Sequence, residues 1–435
     1  MRSENGRALM WPRVALGDIV KIHHGFGFRG EFFRDDAPGD ILLTPGNFAV
    51  GGGFMWHKTK YYDGPVDDRF VLERGDLIIT MTDLSKRTDT LGSPALVPSP
   101  PDGVRLLHNQ RLGLVEITAR DRVDLGFLYA ALRSRAYRAQ VVAAATGTTV
   151  KHTSPKRIER ALIPLPPLAD QRRIAAVVGA LDDRIDSNRR LAGLLEETVA
   201  ALFRARFVDF VGVDEFEERE IGLIPRGWWV GRLGDLVTQR IERCRPSETT
   251  SRLPYVPIDL IPARSFMLVE HRPGEDARSS LTAFEVGDIL FGAMRPYFHK
   301  VAIAPFRGTT RTTVFVLRSA RLPDWAYTAL LLSQPTTIEF ATRTSRGSTI
   351  PYAVWDGVLS EMPVVVPPPE ERAAFDDIAR PLLTQVQKAG FEQQALSQTR
   401  DLLLPKLISG QILVSDTTDP AATIGQAVDA AAAVS

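Results

Sequence analysis

The chain has 435 residues, of which 44% are hydrophobic and 24% are charged, which is ordinary for a globular protein. This length exceeds that of one ordinary domain and indicates at least two. The formal net charge of +1 gives no overall argument for or against nucleic acid, so charge must be considered locally. A single cysteine, Cys244, excludes an internal disulfide and argues against structural zinc. With no apolar segment typical of a signal peptide or membrane span, we expect a cytoplasmic protein.

The first part of the chain has mixed strand and helix signals. After a lead-in over residues 1–12, short apolar runs separated by glycine and proline predict strands. These runs include residues 16–22, 76–81 and 112–117. Residues 124–145 have apolar side chains at helical spacing. We therefore predict a first domain over residues 1–167.

The next segment, from Asp170 to Phe207, has a heptad pattern, and we predict a long helix within residues 168–212. Its a positions are Ile174, Leu181, Asn188, Leu195 and Leu202, and its d positions are Val178, Ile185, Ala192 and Val199. This seam predicts pairing with another helix, the alternative being a long amphipathic surface helix. The amide at Asn188 favours the seam, because a polar a position costs stability but fixes register.

A second copy of this helix is predicted near the C-terminus. The motif Leu165-Pro166-Pro167 recurs as Val366-Pro367-Pro368, and a heptad segment follows from Glu371 to Leu407. Its apolar positions, matched to the first copy, are Phe375, Leu382, Val386, Leu396 and Leu403. Pro381 should kink this helix or start a new one, and Gly390 should weaken it.

Other elements recur in the same order, which indicates a duplicated domain followed by a helix. The matched segments are 16–18 with 233–235, 75–78 with 287–290, 127–129 with 325–327, and 146–149 with 346–349. A repeat of about 200 residues is too long for a solenoid unit. We predict a second domain over residues 213–367, a second helix over 368–415, and a disordered tail over 416–435.

No pattern in the sequence predicts a catalytic site. Residues 25–30 match GxGxxG, but Pro38 and Gly39 leave no room for the helix that a dinucleotide site needs, so we predict a turn between strands. Residues 99–102 read Ser-Pro-Pro-Asp, which lacks the final aromatic residue of an amino-methyltransferase motif. The pair His23-His24 has no spaced partners for a metal. We therefore expect no catalytic residue and no metal site.

Local basic stretches with aromatic residues favour nucleic-acid contact, although a solvated basic surface is the alternative. Residues 289–323 contain no acidic residue, and the only acidic residue in the segment 151–160 is Glu159. The candidate DNA-binding residues are Lys86, Arg87, Lys151, His152, Lys156, Arg157, Arg295, Tyr297, His299, Lys300, Arg343 and Arg346.

The repeat resembles a known family. Residues 163–168 read Ile-Pro-Leu-Pro-Pro-Leu and are followed by Asp170-Gln171, Ile174, Leu181-Asp182 and Ile185, which is similar to the central conserved region of type I restriction-modification specificity subunits. Residues 403–410, LLPKLISG with the first leucine at 403, resemble the distal conserved region. Arg372 departs from the pattern because it stands where Gln171 stands in the first copy, and Asp170 replaces a glutamate of the family.

The resemblance implies an α+β fold of two pseudo-repeated α/β target-recognition domains, each followed by a long helix, with the helices pairing as an antiparallel coiled coil. It implies a non-catalytic subunit that reads a bipartite double-stranded DNA site and docks two methyltransferase subunits and restriction subunits. No cofactor is expected on this chain, while S-adenosylmethionine, ATP and magnesium are expected on partner subunits. The two halves differ in their variable regions, so the predicted site is asymmetric.

Two other functions remain open at the level of sequence. A solitary DNA methyltransferase or nuclease is disfavoured by the missing motifs. A scaffold that binds only protein is disfavoured by the basic, aromatic stretches, and salt-dependent DNA binding would distinguish it from a DNA reader. The sequence does not give the target bases.

Overall fold

The chain divides into two compact units. The computed structural model describes residues 11–56, 59–83, 85, 88–278, 280–347 and 349–414. One unit contains the chain up to Asp183 and the segment from Leu396 onward, and the other is Arg184–Ala395. The boundary falls inside both long helices, so each unit contains one end of each helix. The predicted domain boundaries, which keep each helix whole, stay a prediction, and the predicted tail lies outside the described residues.

The first unit is built mainly of short strands. They are β1 Arg13–Ala15, β2 Val20–His24, β3 Phe33–Arg34, β4 Asp40–Leu43, β5 Tyr61–Tyr62, β6 Val71–Leu72, β7 Leu77–Thr80, β8 Thr82–Asp83, β9 Pro94–Leu96, β10 Leu106–His108, β11 Leu112–Ile117, β12 Lys151–His152 and β13 Leu162–Pro164. The helices are α1 Leu125–Leu132, α2 Arg135–Ala143, α3 Pro155–Glu159 and the first part of α4 Leu168–Phe207.

Two sheets form the core of the first unit. One is antiparallel with strand order β2-β11-β7-β9, and the other has the order β3-β5-β4-β10-β6 with β4 and β10 parallel. Apolar side chains from both sheets share one cluster, including Leu43 and Leu106 from one sheet and Ile78 and Leu112 from the other. Alternate residues of each strand point inward, so the pleat creates this shared core.

The second unit contains strands β14 Phe216–Arg219, β15 Gly222–Pro225, β16 Trp229–Arg232, β17 Val237–Gln239, β18 Arg243–Cys244, β19 Leu281–Phe284, β20 Ile289–Gly292, β21 Val301–Ile303, β22 Gly308–Arg311, β23 Val314–Ser319 and β24 Pro363–Val366. Its helices are the rest of α4, α5 Leu233–Leu236, α6 Glu248–Ser251, α7 Trp325–Leu332, α8 Pro335–Arg343 and most of α9 Pro369–Ser409, whose last part belongs to the first unit. The mixture of helix and sheet confirms the predicted α+β class.

The main sheet has the same topology in both units. Its order is β17-β23-β20-β21 in the second unit, which matches β2-β11-β7-β9 in the first. The antiparallel pair β1–β13 likewise matches β16–β24. The second sheets differ, because among the described residues the first unit has the five strands β3-β5-β4-β10-β6 and the second unit has β18-β19-β22. The repeated order of sequence motifs thus has a counterpart in repeated strand order.

The long helices run antiparallel where they pack together. In the second unit Ala192, Val386 and Ala389 form a buried cluster. Ion pairs join Arg184 Nε to Glu392 Oε1 at 2.6 Å and Arg206 to Glu371 at 2.5 Å. Residues later in α4 therefore face residues earlier in α9. In the first unit, Arg400 of α9 donates to Asp182 of α4 at 3.0 Å.

Most predicted seam residues are buried. Those below 9% exposure are Ile174, Leu181, Ile185, Asn188, Phe375, Val386 and Leu396, and the half-buried ones are Leu195, Leu382 and Leu403. Leu202 is the exception, because its exposed fraction is 40% and the neighbouring Phe203 is buried in its place. Phe203 packs on Tyr327 and Phe375, with ring centroids 5.5 and 5.9 Å apart. The assignment of Leu202 to the heptad seam is wrong because this end of α4 packs into a domain core. Buried side chains there follow the 3.6-residue period of a straight helix instead of the 3.5-residue period of a coiled coil.

Helix α9 is continuous from Pro369 to Ser409, so the predicted new start at Pro381 is wrong. Pro381 is exposed, while the flanking Ala379 and Leu383 are buried, and this packing offsets the missing amide donor. Gly390 has a packing role, since a Cβ there would lie 2.7 Å from the Met267 side chain. Within the described parts of the chain, none of the helices has an apolar stretch that could span a membrane.

Candidate nucleic-acid interface

In the first unit, tertiary pairing joins the predicted basic segment 151–160 to strand β8. Strand β12 pairs with β8, and Lys151 lies opposite Asp83. His152 Nδ1 is 3.1 Å from Thr82 Oγ1, and the segment continues through α3 with the exposed Lys156. Lys86 and Arg87 follow β8 in sequence but lie outside the described residues. Among the described ion pairs, none involves Lys151 or Lys156.

Nearby carboxylates are turned inward. Glu159, the only acid between residues 151 and 160, accepts a hydrogen bond from the Ile22 amide at 3.0 Å. Asp83 is buried and accepts backbone N–H bonds from Ser85, Thr90 and Leu91. Burial acts to raise the pKa of Asp83, but hydrogen bonds from Ser85 and Thr90 outweigh it, so the pKa lies below its usual value. Among the described ion pairs, neither of these two acids is joined to Lys151 or Lys156.

The second unit has the same arrangement. The residues after β20 meet the loop after α8, because Met294 bridges Tyr352 and the Arg295 amide donates to Pro351 O at 2.8 Å. Arg343, at the end of α8, and Arg346, in the loop, are both exposed. We call the surface formed by residues 294–298, 343–347 and 349–352 the second-unit face.

The two loops also share a conformation. Thr146 pairs with His152 in the first unit, and Arg346 pairs with Tyr352 in the second. Each loop turns at a glycine with positive φ, +96° at Gly147 and +90° at Gly347. Glycine adopts this conformation without the penalty that a Cβ imposes. Thr146-Gly147 and Arg346-Gly347, matched by sequence alone, therefore occupy equivalent positions.

Two predicted DNA-binding residues in this region have structural roles instead. His299 is buried, and its Nε2 donates to Ser333 O at 2.8 Å. The Lys300 ammonium donates to three carbonyl oxygens, those of Ile258, Asp259 and Ile261. Burial lowers the pKa of both side chains. We therefore remove His299 and Lys300 from the candidates, since their polar atoms already have internal partners.

The basic stretch 289–323 is less basic in three dimensions than in sequence. Arg318 forms an ion pair with Asp288 at 2.6 Å, and Arg307 forms one with Glu285 at 3.0 Å. Asp288 and Glu285 lie just before residue 289, so the sequence stretch 289–323 did not include them. Phe306 is half-buried against a core cluster and does not belong to an exposed aromatic surface.

The patterns that were set aside as cofactor or metal sites also have structural explanations. The GxGxxG segment runs from β2 through a short 3-10 helix into β3, and no α-helix begins there. A Cβ at Gly25 would lie 2.1 Å from Asn109 O, so this glycine permits close backbone approach. His23 pairs with Glu116 at 2.6 Å. No group of three or more potential metal ligands occurs among the described residues.

Comparison with known proteins gives related chains, one of which matches over most of its length. The MjaIX type I restriction enzyme specificity subunit of Methanocaldococcus jannaschii is 24% identical over 395 residues, which cover 84% of this chain and 88% of the relative. The chain resembles type I specificity subunits. The EcoBI specificity subunit of Escherichia coli is 28% identical over 53% of this chain and 47% of its own length. The resemblance predicted from the sequence motifs is thus confirmed, although no family model matches the chain.

A solved structure supports the same fold. The S subunit of a type I restriction-modification system from M. genitalium aligns with a TM-score of 0.61 at 15% identity. The alignment covers 96% of this chain and 99% of the other. At this identity the likeness bears on the fold alone.

Gln171 in the first half and Arg372 in the second occupy matched positions, and Arg372 is the residue that departs from the specificity-subunit pattern. The two side chains make equivalent contacts. Gln171 is buried, accepts from the Asp124 amide at 2.9 Å, and donates to Pro166 O at 2.8 Å. Arg372 is also buried, donates to Asp324 Oδ1 at 2.8 Å, and donates to Pro367 O. Each side chain therefore joins the first turn of a long helix to its proline turn and to the start of the preceding domain helix.

Proposed function

We propose that this chain is the DNA-recognition subunit of a type I restriction-modification complex, with each unit reading one half of a bipartite, asymmetric site. The observation that carries the proposal is the match to specificity subunits along 84% of the chain, combined with a main sheet that recurs in both units. The second sheets differ between the units, which favours two different half-sites.

The proposed role is recognition without catalysis. Exposed basic side chains would contact phosphates and orient each unit on the duplex, and groups nearby would read base edges. Methyl transfer to adenine N6 and DNA cleavage would be carried out by partner subunits, which would bind S-adenosylmethionine, ATP and magnesium. The antiparallel contacts between α4 and α9 support a coiled coil that sets the distance between half-sites.

A stripe of exposed leucines on α4 supports docking of a partner subunit. Leu191, Leu194 and Leu202 have exposed fractions of 47%, 61% and 40%. At about 3.6 residues per turn they fall within about 80° of one another around the helix, on a face that adjoins the buried Ala192 and Val199. An apolar stripe of this kind is typical of a helix that pairs with another subunit, and we assign it to a methyltransferase subunit.

The direct test is to sequence the methylome of a strain that expresses this chain with its methyltransferase partner. We expect one bipartite motif with a fixed spacer. Replacing residues 13–163 with the equivalent domain of a relative should change one half of the motif only, because each sheet-based unit has its own core. Changes in both halves would contradict independent reading, and the absence of any motif would contradict the proposed function.

Neutralising the first-unit cations should weaken DNA binding at every sequence. For Lys151→Gln/Lys156→Gln we expect affinity to fall by about 10-fold or more at moderate salt. The slope of log affinity against log salt should fall by about one for each phosphate that the variant no longer neutralises. Fluorescence anisotropy of labelled duplexes across a salt series would measure both quantities.

The matched control for this prediction is Lys60→Gln. Lys60 is also a lysine of the first unit with an exposed side chain, but it precedes β5 in the other sheet, and its ammonium lies 4.7 Å from the centre of the Phe33 ring. Its neutralisation should leave the salt slope within experimental error of the unmodified protein. The same effect per charge removed in both variants would mean that the chain responds only to net charge and that the 151–156 segment does not face DNA.

A further inference from the structure

An exposed aromatic pair lies on the second-unit face. The rings of Tyr297 and Phe298 contact each other with centroids 4.8 Å apart. Their exposed fractions are 47% and 48%, whereas the preceding Pro296 is buried. The 3-10 turn Pro296–Phe298 therefore presents two large aromatic side chains to solvent.

The backbone of this turn is strained and tightly held. Arg295 and His299, which flank it, have φ values of +53° and +54°. Non-glycine residues rarely adopt this conformation, and they do so where surrounding contacts impose it. Here the Arg295 amide donates to Pro351 O, the Arg264 amide donates to His299 O, and the His299 ring donates to Ser333 O, all at 2.8 Å. The pair is therefore preorganised, and binding would cost little conformational entropy.

The surroundings favour nucleic acid as the ligand. The turn packs against α8, whose last turn carries the exposed Arg343, and it adjoins the loop that carries the exposed Arg346. Residues 289–323 contain no acid. Aromatic rings beside cations suit base stacking with phosphate contact, as in proteins that bind unstacked bases or insert apolar wedges between base pairs.

The sequence of the first unit has no such aromatic pair at the matched positions. Counting from the first residues of the equivalent strands β7 and β20, Tyr297 and Phe298 correspond to Ser85 and Lys86. The first unit thus has a hydroxyl and a cation in its sequence where the second has two aromatic rings. Its segment is held differently, by N–H donors around the Asp83 carboxylate.

We propose that Tyr297 and Phe298 stack against an opened base step in the half-site read by the second unit, and that the first unit reads its half-site without such a distortion. This inference rests on the proposed function. It adds that the two units differ in how they read DNA as well as in the sequence that each reads. Pyrimidine–purine steps unstack most easily, so we expect TA, CA or TG at the opened position.

The test uses the full chain in complex with its methyltransferase subunits, without S-adenosylmethionine, and duplexes carrying the motif found by methylome sequencing. 2-Aminopurine replaces each purine in turn, except the methylated adenines, because base flipping would unstack those. The unmodified complex should raise fluorescence several-fold at one step of the second-unit half-site and at none of the first. Tyr297→Ala/Phe298→Ala should abolish this rise and weaken specific binding about 10-fold, with an unchanged salt slope because no charge is removed.

Two further variants make the result specific. Tyr297→Phe keeps the ring and should keep the fluorescence rise, and Leu322→Ala removes a 79% exposed apolar side chain of the same unit and should change nothing. Thermal unfolding and size-exclusion chromatography would verify that each variant folds and retains its methyltransferase subunits. If the double variant loses those subunits, the pair is a protein contact and the inference is wrong.

The remaining outcomes distinguish a failure of this inference from a failure of the proposed function. A complex that selects a bipartite motif but shows no step sensitive to the double variant contradicts this inference alone. Equal distortion in both half-sites also contradicts it. A complex that selects no motif contradicts the proposed function, and this inference with it.

Discussion

Replacing Arg372 with glutamine is expected to lower the free energy of unfolding of the second unit by about 3–5 kcal/mol, the usual cost of leaving one charge of a buried pair without its partner. The exposed fractions of the Arg372 and Asp324 side chains are only 4% and 5%. Glutamine, which serves at the equivalent Gln171, cannot neutralise the Asp324 carboxylate. Denaturant unfolding followed by tryptophan fluorescence would measure the loss, because four of the six tryptophans, at 228, 229, 325 and 355, lie in this unit.

Arg206→Gln is the matched control for this substitution. Arg206 of α4 pairs with Glu371, the residue before Arg372 on α9, but the exposed fractions of this pair are 35% and 38%. Its loss should cost no more than about 1 kcal/mol, because solvent screens exposed ion pairs. The double variant Arg372→Gln/Asp324→Asn should recover most of the stability. Similar losses for Arg372→Gln and Arg206→Gln would show that burial does not set the strength of the Arg372 contact.

Lengthening both long helices by one heptad is expected to lengthen the DNA spacer or to abolish specific binding. Seven residues inserted after Asn188, and seven after Ala389, keep both apolar seams in phase and add about 10 Å of helix. That corresponds to about three base pairs of B-DNA at its rise of about 3.4 Å. Methylome sequencing of a strain carrying the variant would give the new spacer.

The expected affinity is lower even at the best new spacer. Three base pairs rotate the duplex by about a third of its helical repeat of about 10.5 base pairs. A straight helix pair adds little rotation, so the DNA must twist or bend to meet both units. The control inserts the same heptad after Gly212, in an exposed turn outside both helices, and should preserve the original motif. Retention of the original spacing and rate by the lengthened variant would mean that the helices do not set the distance.

Features that depend on local periodicity were predictable from sequence. The two heptad segments predicted helices over 170–207 and 371–407, and the structure has them at Leu168–Phe207 and Pro369–Ser409. The repeated segments around Gly75 and Gly287 mark the same turn before β7 and β20, with φ of +90° and +85°. Such features are encoded within a few consecutive residues, so a single sequence contains the information.

Features that depend on long-range contacts were not predictable in the same way. The Leu202 position followed the heptad rule, but the aromatic core of Phe203, Tyr327 and Phe375 decides which face of α4 is buried. A sequence pattern does not show whether a helix packs on another helix or on a domain core.

The candidate interface likewise has features that the sequence predicted and features that only the tertiary structure showed. Sequence alone identified the basic and aromatic segments, including Lys151, Lys156 and Tyr297, and the resemblance to specificity subunits. Only the tertiary structure showed that His299 and Lys300 have internal partners and that Asp288 neutralises Arg318. It also showed that Arg372 serves the same anchoring purpose as Gln171 through different chemistry. The physical reason is that local propensity sets where helices and strands form, whereas burial and ion pairing depend on residues far apart in sequence.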